Sequence, residues 1–198
     1  MLQAKNYQRT YTKALVLLGS NVTFELEDSA KLVRDALNCL SERGLRITSI
    51  SPYYSTACFP AGAGPDFINV AAQLWVDESA ADLLTMLHQV EDAFGRERPS
   101  RWAQRSLDID LIAYGGCVSP DRDTFLHWMN LPLERQMKEA PDQLILPHPR
   151  LQDRGFALIP LADVAPDWRH PVLGKTIKEM AEALSEGQKS EVSLFEMG

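Results

Sequence analysis

Apolar residues recur along this chain in two rhythms, one of period two and one of period three to four. The switches between them mark out the elements. Residues 14–18 are an unbroken apolar run closed by Gly19-Ser20-Asn21, which predicts a central strand ending in a turn. Over residues 25–40, Leu26, Ala30, Val33, Leu37 and Leu40 keep helical spacing, and Gly44 follows as a stop. Residues 45–51 predict a second strand, whereas 52–65 hold too many turn residues to be regular throughout. The cleanest alternation is at 66–77: Ile68, Val70, Ala72, Leu74 and Val76 form a core face, and Phe67 and Asn69 begin the other. Ser79 then caps a helix, with Asp82 at its third position near the positive dipole end. Its stripe is Leu83, Leu87, Val90 and Phe94, and Gly95 ends it. In a further strand, Leu107, Ile109, Leu111 and Ala113 face one way and Asp108 and Asp110 the other.

The resulting order, β-α-β-β-α-β, predicts an α+β chain with a ferredoxin-like core: an antiparallel sheet carrying helices on one face. The opposite face is then free, and Phe67, Asn69, Asp108 and Asp110 would share it. After this core the pattern weakens. Phe125, Trp128, Met129 and Leu133 have roughly helical spacing but Pro132 interrupts them, so a short helix or an irregular flap is expected within 115–143. Residues 144–149 are an apolar run into a stiff turn, and 157–161 predict a strand or helix. A last helix begins at Thr176, and 186–198 are expected to fray.

The 198-residue chain has an ordinary apolar share of 45% and is expected to be a single domain, 1–198, with its core at about 14–170. Its net charge of −7 argues against nucleic acid or an acidic membrane as partner. Cys39, Cys58 and Cys117 show no paired spacing, which suggests reduced thiols and a cytoplasmic setting. The polar N-terminal stretch does not look like a secretory signal, and no apolar run is long enough for a membrane span.

Against that acidic background four arginines, Arg96, Arg98, Arg101 and Arg105, cluster around Trp102 just before the aspartates. Asp108 and Asp110 on one strand face lie about 7 Å apart along it. Mg²⁺ is suited by such a pair, since it takes one or two carboxylates and completes its octahedron with water and phosphate oxygens. Arginines alongside supply countercharge for polyphosphate. The working hypothesis is metal-assisted transfer from a nucleoside triphosphate. Each part also has a plainer reading. An amphipathic strand has a polar face anyway, the arginines could pair with local acids, and His148 between two prolines could be structural. Gly174-Lys175-Thr176 is no phosphate loop, because Arg169 stands where that motif needs glycine. No nucleophile-elbow, zincin or Cys-His signal occurs.

Several blocks, in order, carry a resemblance: Gly19-Ser20-Asn21, Tyr54-Ser55-Thr56, Pro65-Asp66-Phe67-Ile68-Asn69, Glu91-x3-Gly95-Arg96-x-Arg98, Arg101-Trp102-x2-Arg105-x-Leu107-Asp108-Ile109-Asp110, and Pro147-His148-x5-Arg154-Gly155-Phe156. From about residue 14 to 170 the chain resembles the 6-hydroxymethyl-7,8-dihydropterin pyrophosphokinases of folate biosynthesis. The resemblance implies transfer of pyrophosphate from ATP to the pterin hydroxymethyl group with release of AMP, two Mg²⁺ ions, and a monomer. It implies Asp108 and Asp110 as metal ligands, with Arg96 and Arg105 beside them as catalytic residues. Glu91, Arg98, Arg101, His148 and Arg154 would bind ATP. Thr56, Phe67, Asn69, Trp102 and Phe156 would bind the pterin, its flat ring stacked between Phe67 and Phe156. Core packing is the plainer reading of the aromatics. The chain departs from the family's pattern at Ala57, Gln143 and Pro149, has a slightly short arginine loop, and carries what looks like an insertion near 116–142. Two alternatives stay open: a paralogue acting on a different acceptor, and a non-catalytic ferredoxin-like ligand-binding module.

Overall fold

A computed structural model describes residues 10–23, 25–58, 64–95, 107–136 and 138–197. The elements, in chain order, are β1 (Thr12–Ser20), α1 (Leu26–Glu42), β2 (Arg46–Ile50), β3 (Tyr53–Thr56), β4 (Phe67–Val76), α2 (Ala80–Ala93) and β5 (Asp108–Tyr114). They continue with α3 (Arg122–Met129), α4 (Leu133–Gln136), a 3-10 turn (Leu151–Asp153), α5 (Gly155–Val164), α6 (Ile177–Glu182), α7 (Glu186–Ser190) and β6 (Val192–Phe195). The strands form one sheet in the order β5-β1-β4-β3-β6, with β2 also beside β4. Every pairing is antiparallel.

The longest strands, β1 and β4, lie at the centre, where most of their residues are buried and both faces are covered. β2 and β3 share the remaining edge of β4. Between them, Ser51 donates its N–H to the Ala71 carbonyl at 2.9 Å and accepts the Ala71 N–H on Oγ at 3.0 Å. A side chain thus keeps the ladder satisfied where Pro52, which has no N–H, breaks it.

Helices α1 and α2 cover one face, burying Ala30, Val33, Leu37, Leu83, Leu87 and Val90 against Val16, Leu18, Val70, Leu74 and Ile109. At about 1.5–3 kcal/mol per fully buried large aliphatic side chain, this layer is the main stabilising element. Local signals set the ends of α2: the Ser79 hydroxyl accepts the Asp82 N–H, and Gly95 follows the helix with φ of 83°.

The opposite face is not free, contrary to the sequence expectation. Leu15, Leu17, Ala71 and Ile112 form a second core with Leu158 and Leu161 of α5 and Ile177 and Met180 of α6. The ambiguous run at 157–161 is therefore helix, and its apolar residues close a third layer. Ala113 also changes face. Leu15 pairs with Ala113 but Val16 with Leu111, so Ile112 is an extra residue in β5. This bulge turns Ile112 and Ala113 into the second core while Leu111 stays in the first.

The tail expected to fray is ordered into α7 and β6. Ser185 and Gln188 form a capping box, and β6 pairs with β3 so that Val192 faces Thr56 and Leu194 faces Tyr54. Gln188 Nε2 donates to the Asp153 carbonyl at 3.3 Å, which docks α7 beside the start of α5. The patterned stretch after Gly116 forms two short helices, α3 and α4, on either side of Pro132, in line with the interrupted periodicity.

Candidate functional site

The site is built on that part of the second face which α5 leaves uncovered. Residues directly opposite in antiparallel strands share a face, and the registers give continuous rows. Asn69 in β4 lies opposite Gly19 in β1, and Gly19 lies opposite Asp108 in β5. The next row is Ala71, Leu17 and Asp110, and Thr56 lies opposite Phe67. Thr56, Phe67, Asn69, Asp108 and Asp110 thus share one surface. Asn69 and Asp108 sit two strand spacings apart, or roughly 10 Å.

Gly19 separates them because it has no side chain. A Cβ there would sit 3.3 Å from Asn69 Oδ1. Asn69 is itself held, donating from Nδ2 to Thr56 Oγ1 at 2.8 Å while only 4% exposed. That bond fixes the amide orientation, so the remaining oxygen and hydrogen present one acceptor and one donor. Behind this row, Tyr54 donates its hydroxyl to Asp163 Oδ2 of α5 at 2.7 Å. Burial, followed by the Asp163 carboxylate, pushes the phenol up to about 12.

β5 is a sheet edge, and its outer side opens on a cleft of roughly 560 Å³, within the range of small-molecule sites. Glu91, Asp108, Asp110, His148 and Arg154 all line it. Glu91, 1% exposed, accepts the Ile109 N–H at 2.8 Å and so ties α2 to the strand between the two aspartates. The chain returns on the other side of the edge, where the His148 N–H donates to the Ile112 carbonyl at 2.8 Å. His148 Nδ1 accepts the Arg150 N–H at 3.2 Å, which assigns the ring proton to Nε2. Burial, then the Arg154 charge, pulls this imidazole down to about 3, so it is neutral at physiological pH. Burial also lowers the Arg154 pKa, opposed chiefly by Asp110, and the guanidinium stays charged. Its Cζ stands 5.5 Å from the centre of the Phe156 ring.

Of the residues expected to bind nucleotide and metal, the described ones, Glu91, Asp108, Asp110, His148 and Arg154, line one cleft. Thr56, Phe67 and Asn69 lie further along the sheet face, with Asp108 as the link, and Phe156 is partly buried against the second core. Arg96, Arg98, Arg101, Trp102 and Arg105 lie outside the described residues. Among the described residues, no cluster of three or more His, Cys, Asp or Glu could hold a metal by itself. The available donors at Asp108 and Asp110 are hard carboxylate oxygens without thiolates, a set that fits Mg²⁺ completed by phosphate and water.

Sequence reasoning missed three contributors. Gly19 stood in a turn signal and in a motif block but was given no site role, although a glycine in a strand can mark close approach. Arg150, which lines the cleft and pairs with Asp153 at 2.9 Å, carried no spacing signal. Trp128 also lines the cleft from the insertion. Of the departures from the family pattern, Gln143 and Pro149 border the same cleft, while Ala57 follows β3 in the open.

An antiparallel sheet between helical layers, with a carboxylate pair and a half-buried guanidinium at its edge cleft, defines a mixed α/β protein with a site suited to an anionic ligand and a hard cation. Residues 15–166 match the model of the 7,8-dihydro-6-hydroxymethylpterin-pyrophosphokinase family. The chain belongs to that family. It is 37% identical over 169 residues to a 2-amino-4-hydroxy-6-hydroxymethyldihydropteridine pyrophosphokinase of Synechocystis, covering 85% of this chain and 74% of that one. The corresponding Pseudomonas aeruginosa protein is 34% identical, over 83% and 85%. Among solved structures, a Plasmodium falciparum HPPK-DHPS protein crystallised with pteroate aligns with a TM-score of 0.63 at 14% identity. That alignment covers 95% of this chain and 47% of the Plasmodium protein, so the chain spans about half its length, and the likeness speaks to fold alone.

Proposed function

We propose that this chain transfers the pyrophosphoryl group of ATP to the hydroxymethyl group of 6-hydroxymethyl-7,8-dihydropterin, releasing AMP, in folate biosynthesis. The observation that carries the reading is the row Asn69–Gly19–Asp108, which joins an amide-edge reader to a metal-type carboxylate across three strands. Family membership gives the row its chemistry.

The hydroxymethyl oxygen forms a bond to the β-phosphorus. The bond from that phosphorus to the oxygen shared with the α-phosphate breaks, AMP leaves, and the hydroxyl proton passes to solvent. Asp108 and Asp110 would hold two Mg²⁺ ions, whose charge neutralises phosphate oxygens and lowers the pKa of the attacking hydroxyl. His148 offers a neutral Nε2–H donor at the cleft, and Arg154 a fixed positive charge. Thr56 orients Asn69 toward the amide and amino edge of the pterin, and Phe67 and Phe156 supply aromatic faces for its ring. Arg96 and Arg105 take the transition-state charge, Arg98 and Arg101 hold phosphate, Trp102 joins the pterin contacts, and Glu91 positions the strand beside the nucleotide.

The same reading treats β2 and β3 as one strand broken at Ser51-Pro52. The first six elements then form a ferredoxin-like βαββαβ core, to which α3–α7 and β6 are additions. It also takes the protein as a cytoplasmic monomer; among the described residues no helix is long and apolar enough to cross a membrane. A coupled assay of AMP release with Mg²⁺, ATP and the dihydropterin tests the function. Turnover with the pterin is expected, and AMP formed only with a different acceptor would sink this reading in favour of a paralogue.

A further inference from the structure

We infer that the insertion after β5 completes the nucleobase end of the cleft, where the ring of Trp128 covers the base of the bound nucleoside triphosphate. The inference rests on the nucleotide reading above and deepens it.

The cleft has a direction. Tyr114 donates its hydroxyl to the Glu78 carbonyl at 2.7 Å, and Glu91 holds the Ile109 N–H. Helix α2 therefore runs antiparallel to β5, with its C-terminal end beside the aspartates. Leu84 and His88 precede Glu91 by seven and three residues on the cleft-facing stripe of α2, so Leu84 lies about 10 Å from Glu91, toward Tyr114. Asp108 and Asp110 mark a charged end of the cleft, and Leu84 an apolar one. Leu144 and Ile145 line the cleft from the returning segment, which is bridged to Ser119 through Leu146 and held beside β5 by the His148 N–H on the Ile112 carbonyl. A ligand with polyphosphate at the aspartates must extend its base toward the apolar end.

Trp128 borders this cleft while belonging to neither hydrophobic core. It is half-buried, in a helix whose anchor is a different residue. Phe125, 0% exposed, packs 5.5 Å from the His170 ring. Phe125 therefore accounts for the docking of α3, and the Trp128 indole, in edge contact with the His127 ring at 5.7 Å, lines the cleft without serving as that anchor. Further along the insertion, Arg135 forms two hydrogen bonds to Glu139, at 2.6 and 2.8 Å, just before residues 140–143, which also line the cleft. A large flat aromatic lining the same cleft as the aspartates suits stacking on a heteroaromatic base. Such stacking is sequence-tolerant, and cutting the ring to alanine typically weakens binding about 5- to 150-fold.

Calorimetric titration separates base from phosphate contacts. Wild type, Trp128→Ala, Trp128→Leu and Trp128→Phe are titrated with Mg²⁺ plus a non-hydrolysable ATP analogue, and with Mg²⁺ plus inorganic tripolyphosphate. The analogue is expected to bind on the order of tenfold more weakly to the alanine and leucine variants. Phenylalanine should restore most of that loss, and tripolyphosphate should bind all four proteins alike. The leucine variant keeps apolar volume, so its loss identifies the flat ring as the cause. Unchanged analogue affinity in Trp128→Ala overturns this inference and leaves the proposed function standing, as does an equal loss for tripolyphosphate. A wild type that binds neither probe overturns both.

Discussion

His170 joins the inserted helix to the C-terminal part of the chain, and its chemistry predicts how stability depends on pH. The side chain is fully buried, 5.5 Å from the Phe125 ring and 5.7 Å from the Trp168 ring. Nδ1 accepts the N–H groups of Val172 and Leu173, each at 3.2 Å, so the neutral ring carries its proton on Nε2. Burial pulls its pKa from 6.5 down to about 4. As pH falls below 6.5 the unfolded chain takes up a proton that the folded one resists. Stability is therefore complete above about pH 7, declines through the window from 6.5 to 4, and levels off below it. At about 1.36 kcal/mol per pH unit, the gap caps the loss near 3 kcal/mol, of which about 2 kcal/mol is gone by pH 5. His170→Asn is the informative variant. Its Oδ1 can take the place of Nδ1 and keep both turn N–H groups satisfied, while nothing titrates. Urea midpoints measured at pH 7.5 and pH 5 should fall by about 1 M more for wild type than for the variant, taking a slope of about 2 kcal/mol per molar. His148, also lowered, contributes alike to both proteins and cancels in the comparison. Identical pH dependence in the two proteins would refute the reasoning.

Three further outcomes follow from the site and its supports. Replacing both Asp108 and Asp110 by alanine should abolish metal-dependent binding of an ATP analogue in calorimetry while leaving the fold intact by circular dichroism. Gly19→Ala should raise KM for the dihydropterin several-fold with KM for ATP little changed, because the added methyl pushes on Asn69 Oδ1 from 3.3 Å; equal changes in both constants would refute it. Gly155→Ala should destabilise by about 1–3 kcal/mol, since its Cβ would lie 2.9 Å from the Gln188 backbone oxygen, which cannot rotate away. Differential scanning calorimetry should register that as a drop in Tm of several degrees.

Much of the sheet and the helices around it was legible because burial on one face leaves a periodic trace. The strand at 66–77, the cap at Ser79 and the stop at Gly95 are local features, decided by neighbours within a few residues. The aspartate pair was visible for the same reason, as two polar positions one pleat apart. Where the reading failed, the deciding partner was distant in sequence. Residues 157–161 are apolar all round because a helix buried on the sheet has little exposed surface to advertise its period. Ala113 sits on an unexpected face because a one-residue bulge against Leu15 and Val16 resets the alternation. The tail at 192–195 is a strand only because β3 offers it an unpaired edge.

What the amino-acid sequence determined by itself is the set of local elements, the carboxylate pair on one strand face, and the ordered motifs that carry the family resemblance. Each depends on covalent neighbours, periodicity and side-chain chemistry. The tertiary structure alone decided that Asn69, Gly19 and Asp108 form one row, that α5 closes the second face, and that Trp128 borders the cleft. Those relations come from strand register and layer packing between residues tens of positions apart, which leave no periodic mark along the chain.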